Sequence, residues 1–90
     1  MTRQPFRVEI MPAAQRQLRA LPPSVGARLR GTIVNLASVP RPSGAQKIPD
    51  TAYWRIRVGD LRVIFVIDEA ARVVSITKAA RRSESTYRRL

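Results

Sequence analysis

The chain has no cysteine and no histidine. The first absence removes disulfides, thiolate nucleophiles and cysteine-based metal sites; the second removes the usual general base and the usual zinc ligand. Acidic residues are scarce too, with 6 Asp and Glu against 17 Lys and Arg. Any catalysis must therefore draw on Arg, Lys, Tyr or carboxylate side chains, and no metal or cofactor is indicated. The two Phe, two Tyr and one Trp fall largely on expected core positions, which leaves no platform of exposed aromatics for stacking single-stranded bases. No apolar run follows the opening Met-Thr-Arg-Gln-Pro-Phe-Arg to serve as a signal peptide, and no window approaches a membrane span. A cytoplasmic protein with no membrane partner is expected.

What is present is positive charge. A formal net charge of +11 on 90 residues makes anions the natural partners: a polyphosphate backbone, an acidic protein or an acidic membrane surface. Fifteen of the cations are Arg and only Lys47 and Lys78 are Lys, which suits forked phosphate contacts and equally suits a GC-rich coding sequence. A hydrophobic fraction of 44% is globular, and residues 1–90 are enough for a single domain with a small core of marginal stability.

Residues 6–11 alternate, with Phe6, Val8 and Ile10 on one side, as a half-buried strand does, and Pro12 then stands where a helix begins. Ala14, Leu18 and Leu21 recur at helical spacing before Pro22-Pro23 breaks the run. Val25, Leu29, Ile33 and Leu36 repeat the spacing, with Ser24 as a candidate N-cap, so the two helices form an antiparallel hairpin. Residues 40–44 are a loop by their Pro, Ser and Gly content, and those up to Asp50 show neither period. Trp54–Val58, Leu61–Asp68 and Arg72–Lys78 are rich in β-branched and aromatic residues and predict an antiparallel meander. The fold class expected is α+β: a small antiparallel sheet of about four strands on an N-terminal helical hairpin, in the order β-α-α-β-β-β, followed by a short C-terminal tail or helix.

Gly59-Asp60 reads as a two-residue hairpin loop of type II′, which pairs Val58 with Leu61. Counting outward, Trp54, Ile56, Val58, Leu61, Val63 and Phe65 share the core face, so Trp54 is a packing residue. Arg55, Arg57 and Arg62 share the other face, with Arg57 opposite Arg62. Like charges opposed across a sheet repel, so an anion is expected there, although a solvated face of splayed arginines would also be tolerated once screened.

The run Tyr53-Trp54-Arg55-Ile56-Arg57-Val58-Gly59-Asp60-Leu61-Arg62-Val63-Ile64-Phe65 resembles the signature hairpin of the RelE/ParE toxins of bacterial toxin–antitoxin systems. The flanking strand, helical hairpin and later strands extend the resemblance over nearly the whole chain. For RelE-type members it implies a toxin that enters the ribosomal A site and cuts messenger RNA. By motif, the catalytic residues implied are Arg55, Arg57, Arg62, Arg81 and Tyr87. The hairpin pair is often Lys in the family; here both are Arg, a poor general base. RNA carries its own nucleophile, the 2′-hydroxyl, so positioning and charge stabilisation can carry the reaction. Arg62 and Arg81 would stabilise developing charge, Arg55 and Arg57 would clamp phosphates, and Tyr87 would stack on a base, assist proton transfer or simply anchor the tail.

Arg82, Arg88 and Arg89 are expected as contacts to the RNA backbone or as solubilising charge. Lys47 and Lys78 are grouped with them, and either could supply the titratable amine that the hairpin lacks. The resemblance further implies a cognate antitoxin with an acidic toxin-binding segment, forming a hetero-oligomer and touching Ile64 and Val66 on the arginine face. The partners expected are thus the antitoxin, the ribosome and messenger RNA. Two other readings stay open: a ParE-type inhibitor of DNA gyrase on the same fold, and a noncatalytic basic RNA-binding module.

Overall fold

A computed structural model describes residues 5–81. The elements in chain order are β1 (Arg7–Ile10), α1 (Pro12–Ala20), α2 (Pro23–Asn35), β2 (Gln46–Lys47), β3 (Tyr53–Val58), β4 (Leu61–Asp68) and β5 (Val73–Arg81). They build one five-stranded sheet in the order β1-β5-β4-β3-β2, with the two helices over one face. Among the described residues no helix is long and apolar enough to cross a membrane.

Each helix begins at a proline, whose fixed φ suits the first turn and whose missing N–H costs nothing there. Pro22 occupies the N-cap position of α2, so Ser24 lies inside the helix and caps nothing, contrary to the sequence expectation. α1 buries Ala14 and Leu18, and α2 buries Gly26, Leu29 and Ile33. A Cβ on Gly26 would stand 3.3 Å from the Leu18 carbonyl oxygen, so the two helices approach closely there. Against them the sheet sets Ile56, Leu61, Val63, Phe65, Val74, Ile76 and Ala79, with Trp54 and Val58 at the margin. The expected β-α-α-β-β-β order is present, with two differences. β1 runs parallel to β5, not antiparallel, and the two-residue β2 adds a fifth strand at the far edge. Alternation within β1 fixes which side faces the core but not which strand lies beside it, and two residues are too few to show a period.

β5 is not regular. Ile64 pairs with Lys78 and Phe65 with Ile76, so Thr77 is an extra residue, a β-bulge, with its hydroxyl donating to the Ile64 carbonyl at 3.2 Å. The bulge lets Ile76 and Ala79, three apart, both face the core, and turns Lys78 to the opposite side. β1 ends beside Ile76, and past that point the side chain of Gln17 in α1 takes over: its Oε1 accepts the Ala79 N–H at 2.8 Å. Gln17→Leu would leave that buried N–H without an acceptor and should destabilise the fold by about 1–3 kcal/mol, whereas Gln17→Glu, which keeps an acceptor, should recover most of it. Urea unfolding of the two variants checks this.

Candidate nucleic-acid interface

The hairpin adopts the expected register throughout, from Val58↔Leu61 to Trp54↔Phe65. Gly59 has φ 63° while Asp60 is not among the positive-φ residues, which is the type II′ pattern. The face turned away from the helices can therefore be read in rows. Nearest the turn lie Arg57, Arg62 and Ala80; the next row runs Gln46, Arg55, Ile64 and Lys78 across four strands; the third holds Tyr53, Val66 and Ser75. Arg55 and Arg57 of β3, Arg62 of β4 and Lys78 of β5 thus share one surface. Arg55 Nη2 donates to Gln46 Oε1 at 2.7 Å, which orients its guanidinium along the row. Because β2 stops after two residues, the edge of β3 beyond it opens into a depression of about 350 Å³ lined by Ser43, Gly44, Gln46, Arg55, Ile56 and Arg57.

Arg62 is the anomaly. It is only 6% exposed, the one charged residue buried among those described. Its Nη1 donates to the carbonyl of Leu61 at 3.3 Å, its Nε has no partner, and no carboxylate forms an ion pair with it among the described residues. A guanidinium held away from water without a counter-charge is costly for folding. It is also well suited to an anion, since a pre-oriented, poorly solvated charge loses little on binding one.

Not every expected residue joins this surface. Arg81 stands opposite Leu61, on the helix side of the sheet, and its guanidinium forms an ion pair with the Asp60 carboxylate at the hairpin turn. The resemblance groups Arg81 with Arg62 in stabilising charge; in the structure the bulge at Thr77 sets the two on opposite sides of the sheet. Lys47 stands opposite Trp54 and so belongs to the helix side as well. Ile64, expected as an antitoxin contact, is fully buried, and Val66 is half-buried. Tyr87, Arg82, Arg88 and Arg89 lie outside the described residues. Among the described residues no group of His, Cys, Asp and Glu is arranged to hold a metal ion. Since Arg81 and Asp60 are each about two-thirds exposed, Asp60→Asn should change stability by less than about 1 kcal/mol. It should nevertheless tighten binding of a short RNA several-fold at low salt, an advantage that fades as salt screens it; anisotropy titrations at two ionic strengths read both effects.

Sequence reasoning missed the parts that act at a distance. Gln46 and Gln17 carry no local signal, because each matters only through a strand or a side chain reached by folding. Arg41 lies 5.2 Å from the Trp54 ring and bridges to Glu69 at 2.6 Å, a cation–π and ion-pair cluster at the end of β3 remote from the turn.

A small α+β domain with two helices on one face of the sheet and a cationic hairpin on the other is the architecture of the RelE/ParE toxins, and the comparisons with known proteins agree. A profile of the ParE toxin family of type II toxin–antitoxin systems, parDE, matches residues 8–85, and the chain belongs to this family of toxins. The fold is similar to that of the toxin in the Pyrococcus horikoshii RelE–RelB complex, with TM-score 0.77, 27% identity, and 88% of this chain and 97% of that one covered. It is similar to a chain of the RelBE2 toxin–antitoxin complex of Mycobacterium tuberculosis, with TM-score 0.75, 23% identity, and 87% and 99% covered. The intact RelBE complex of E. coli follows with TM-score 0.76, 15% identity, and 88% and 99% covered. No curated protein matches the sequence at a significant level.

Proposed function

We propose that this toxin is a RelE-type endoribonuclease that cuts messenger RNA in the ribosomal A site, arrests translation and growth, and is neutralised by an antitoxin whose acidic segment covers the cationic face. One observation carries the reading: Arg62, buried and without a carboxylate partner among the described residues, lies on a surface shared with Arg55, Arg57 and Lys78. A pre-oriented, desolvated guanidinium suits the charge that gathers on the non-bridging oxygens of a phosphoryl transition state.

In the reaction proposed, the 2′-oxygen attacks the adjacent phosphorus and the bond to the 5′-oxygen breaks. The 2′-hydroxyl proton is lost, the leaving 5′-oxygen gains one, and the products are a 2′,3′-cyclic phosphate and a 5′-hydroxyl. Arg62 stabilises the charge gathering on the non-bridging oxygens, and Arg55 and Arg57 hold the flanking phosphates. Lys78 is the one titratable amine on that face among the described residues, and it takes the proton-transfer role that arginine cannot. Arg81 joins only by exchanging Asp60 for substrate, and Tyr87 is assigned base stacking.

The ParE description of the matching family favours a second reading, inhibition of DNA gyrase by binding alone. Induced expression with primer-extension mapping of cellular messenger RNA separates the two. Cuts within translated codons that vanish in a folded Arg62→Ala variant support the nuclease. Growth arrest with DNA-damage signalling and no cuts supports the gyrase inhibitor, and absence of toxicity leaves only a basic RNA-binding module.

A further inference from the structure

Between Glu9 and Asp50 the chain contains no acidic residue, yet carries Arg16, Arg19, Arg28, Arg30, Arg41 and Lys47. Four of these lie on the helical hairpin, and all four are exposed. With Ala14 and Leu18 of α1 buried, the turn of 100° per residue directs Arg16 and Arg19 away from the sheet. In α2, Arg28 and Arg30 flank an outward strip made by Ala27 and Gly31, with Leu29 and Ile33 buried behind. A Cβ on Gly31 would meet nothing within 4 Å, so the strip is open to close approach. The carboxylates that form ion pairs, Glu9, Asp60 and Glu69, take Arg7, Arg81 and Arg41; none of the four hairpin arginines is in an ion pair among the described residues. This cationic layer lies on the side of the sheet opposite Arg55, Arg57 and Arg62.

We propose that the outer face of the helical hairpin is a second RNA-binding surface, one that takes the phosphate backbone of a duplex. The chain has no aromatic residue between Phe6 and Tyr53, so this face cannot stack the bases of a single strand. Duplex RNA needs no such platform, because it is recognised by shape and by phosphate and 2′-hydroxyl contacts. Four charges fixed on two packed helices suit a rigid backbone of regular spacing. A protein partner would need a desolvated apolar anchor among the arginines. Of the exposed large hydrophobics, Val39 lies beyond α2, and Val34 continues the Ala27–Gly31 stripe only at its C-terminal end, past the last of the four arginines. The domain then has two polyanion faces back to back, and it can sit between two segments of nucleic acid whether or not the sheet face cuts.

The test measures binding by the full-length protein of an RNA hairpin duplex and an unstructured RNA of equal length, each across a range of salt. Arg16→Gln/Arg19→Gln/Arg28→Gln/Arg30→Gln, checked for folding by circular dichroism, should weaken duplex binding by more than about tenfold at low salt. Its log–log salt slope should fall by roughly two to four, near one for each phosphate that the variant no longer neutralises. Single-strand affinity should move much less, and Arg57→Ala/Arg62→Ala should show the reverse pattern. If the quadruple variant misfolds, the two double variants each carry half of the expected slope change. An unchanged duplex slope overturns the proposal, and so does a weakened antitoxin affinity with duplex affinity intact, which would make the face a protein-docking surface. Cleavage is not read, so failure of the nuclease assignment leaves this result interpretable.

Discussion

Arg62→Met is expected to make the protein more stable, by about 1–3 kcal/mol, and to abolish its toxicity. The two effects have one cause. The guanidinium is 6% exposed, donates to one backbone carbonyl and leaves Nε without a partner, so it is a desolvated charge with no ion-pair partner among the described residues. A flexible apolar side chain of similar length fills the same space without that penalty. The reaction loses the opposite balance: a pre-oriented charge aimed at a transition state accounts for about 10²–10³ in rate where single donors have been removed. Urea unfolding and primer extension on the same preparation test the pair of outcomes. A variant that loses stability together with activity would make Arg62 a structural member of the sheet and would remove the main support for catalysis on this face.

Lys78→Ala should lower single-turnover cleavage by about 10²–10³, within the range of removing a positioned proton-transfer group. Lys78→Arg keeps the charge and is expected to restore RNA affinity but not rate, because a guanidinium does not give up its proton near neutral pH. If Arg restores both, the side chain serves only as a positive charge and the proton must move through another group. Lys78 holds its place on this surface through the bulge at Thr77 and the hydrogen bond from Ala79 to Gln17. Gln17→Leu should accordingly reduce cleavage more than its stability loss alone explains, a comparison made well below the unfolding midpoint.

The parts of the fold legible beforehand were those set by neighbours in the chain. Gly59-Asp60 forces a two-residue turn, and from that turn every pair of the β3–β4 hairpin follows, including Arg57 opposite Arg62. Apolar spacing located both helices and Pro12 located the start of the first, whereas the second begins at Pro23 and not after a Ser24 cap. What stayed hidden depends on packing between distant residues. In Val73–Arg81 either alternation can bury an aliphatic set, and only the fit against β4 and α1 decides that Thr77 is the extra residue. That one residue puts Arg81, which the family motif groups with Arg62, on the other side of the sheet, and puts Lys78, expected as an RNA contact or a spare amine, beside the arginines. The burial of Arg62 was illegible for a related reason: alternation says which face a residue takes, not how much of that face is covered.

Among the described residues β1 is the first strand in the chain, and β5, its neighbour in the sheet, is the last. Because β5 lies between β1 and β4, a ribosome which has not yet translated past residue 73 carries a chain in which β1 cannot join the sheet. Pairings this far apart in sequence also form late and slowly. On the proposed reading, a half-made copy lacks the strand that brings Lys78 to Arg62, so the site is complete only once β5 has been made and paired.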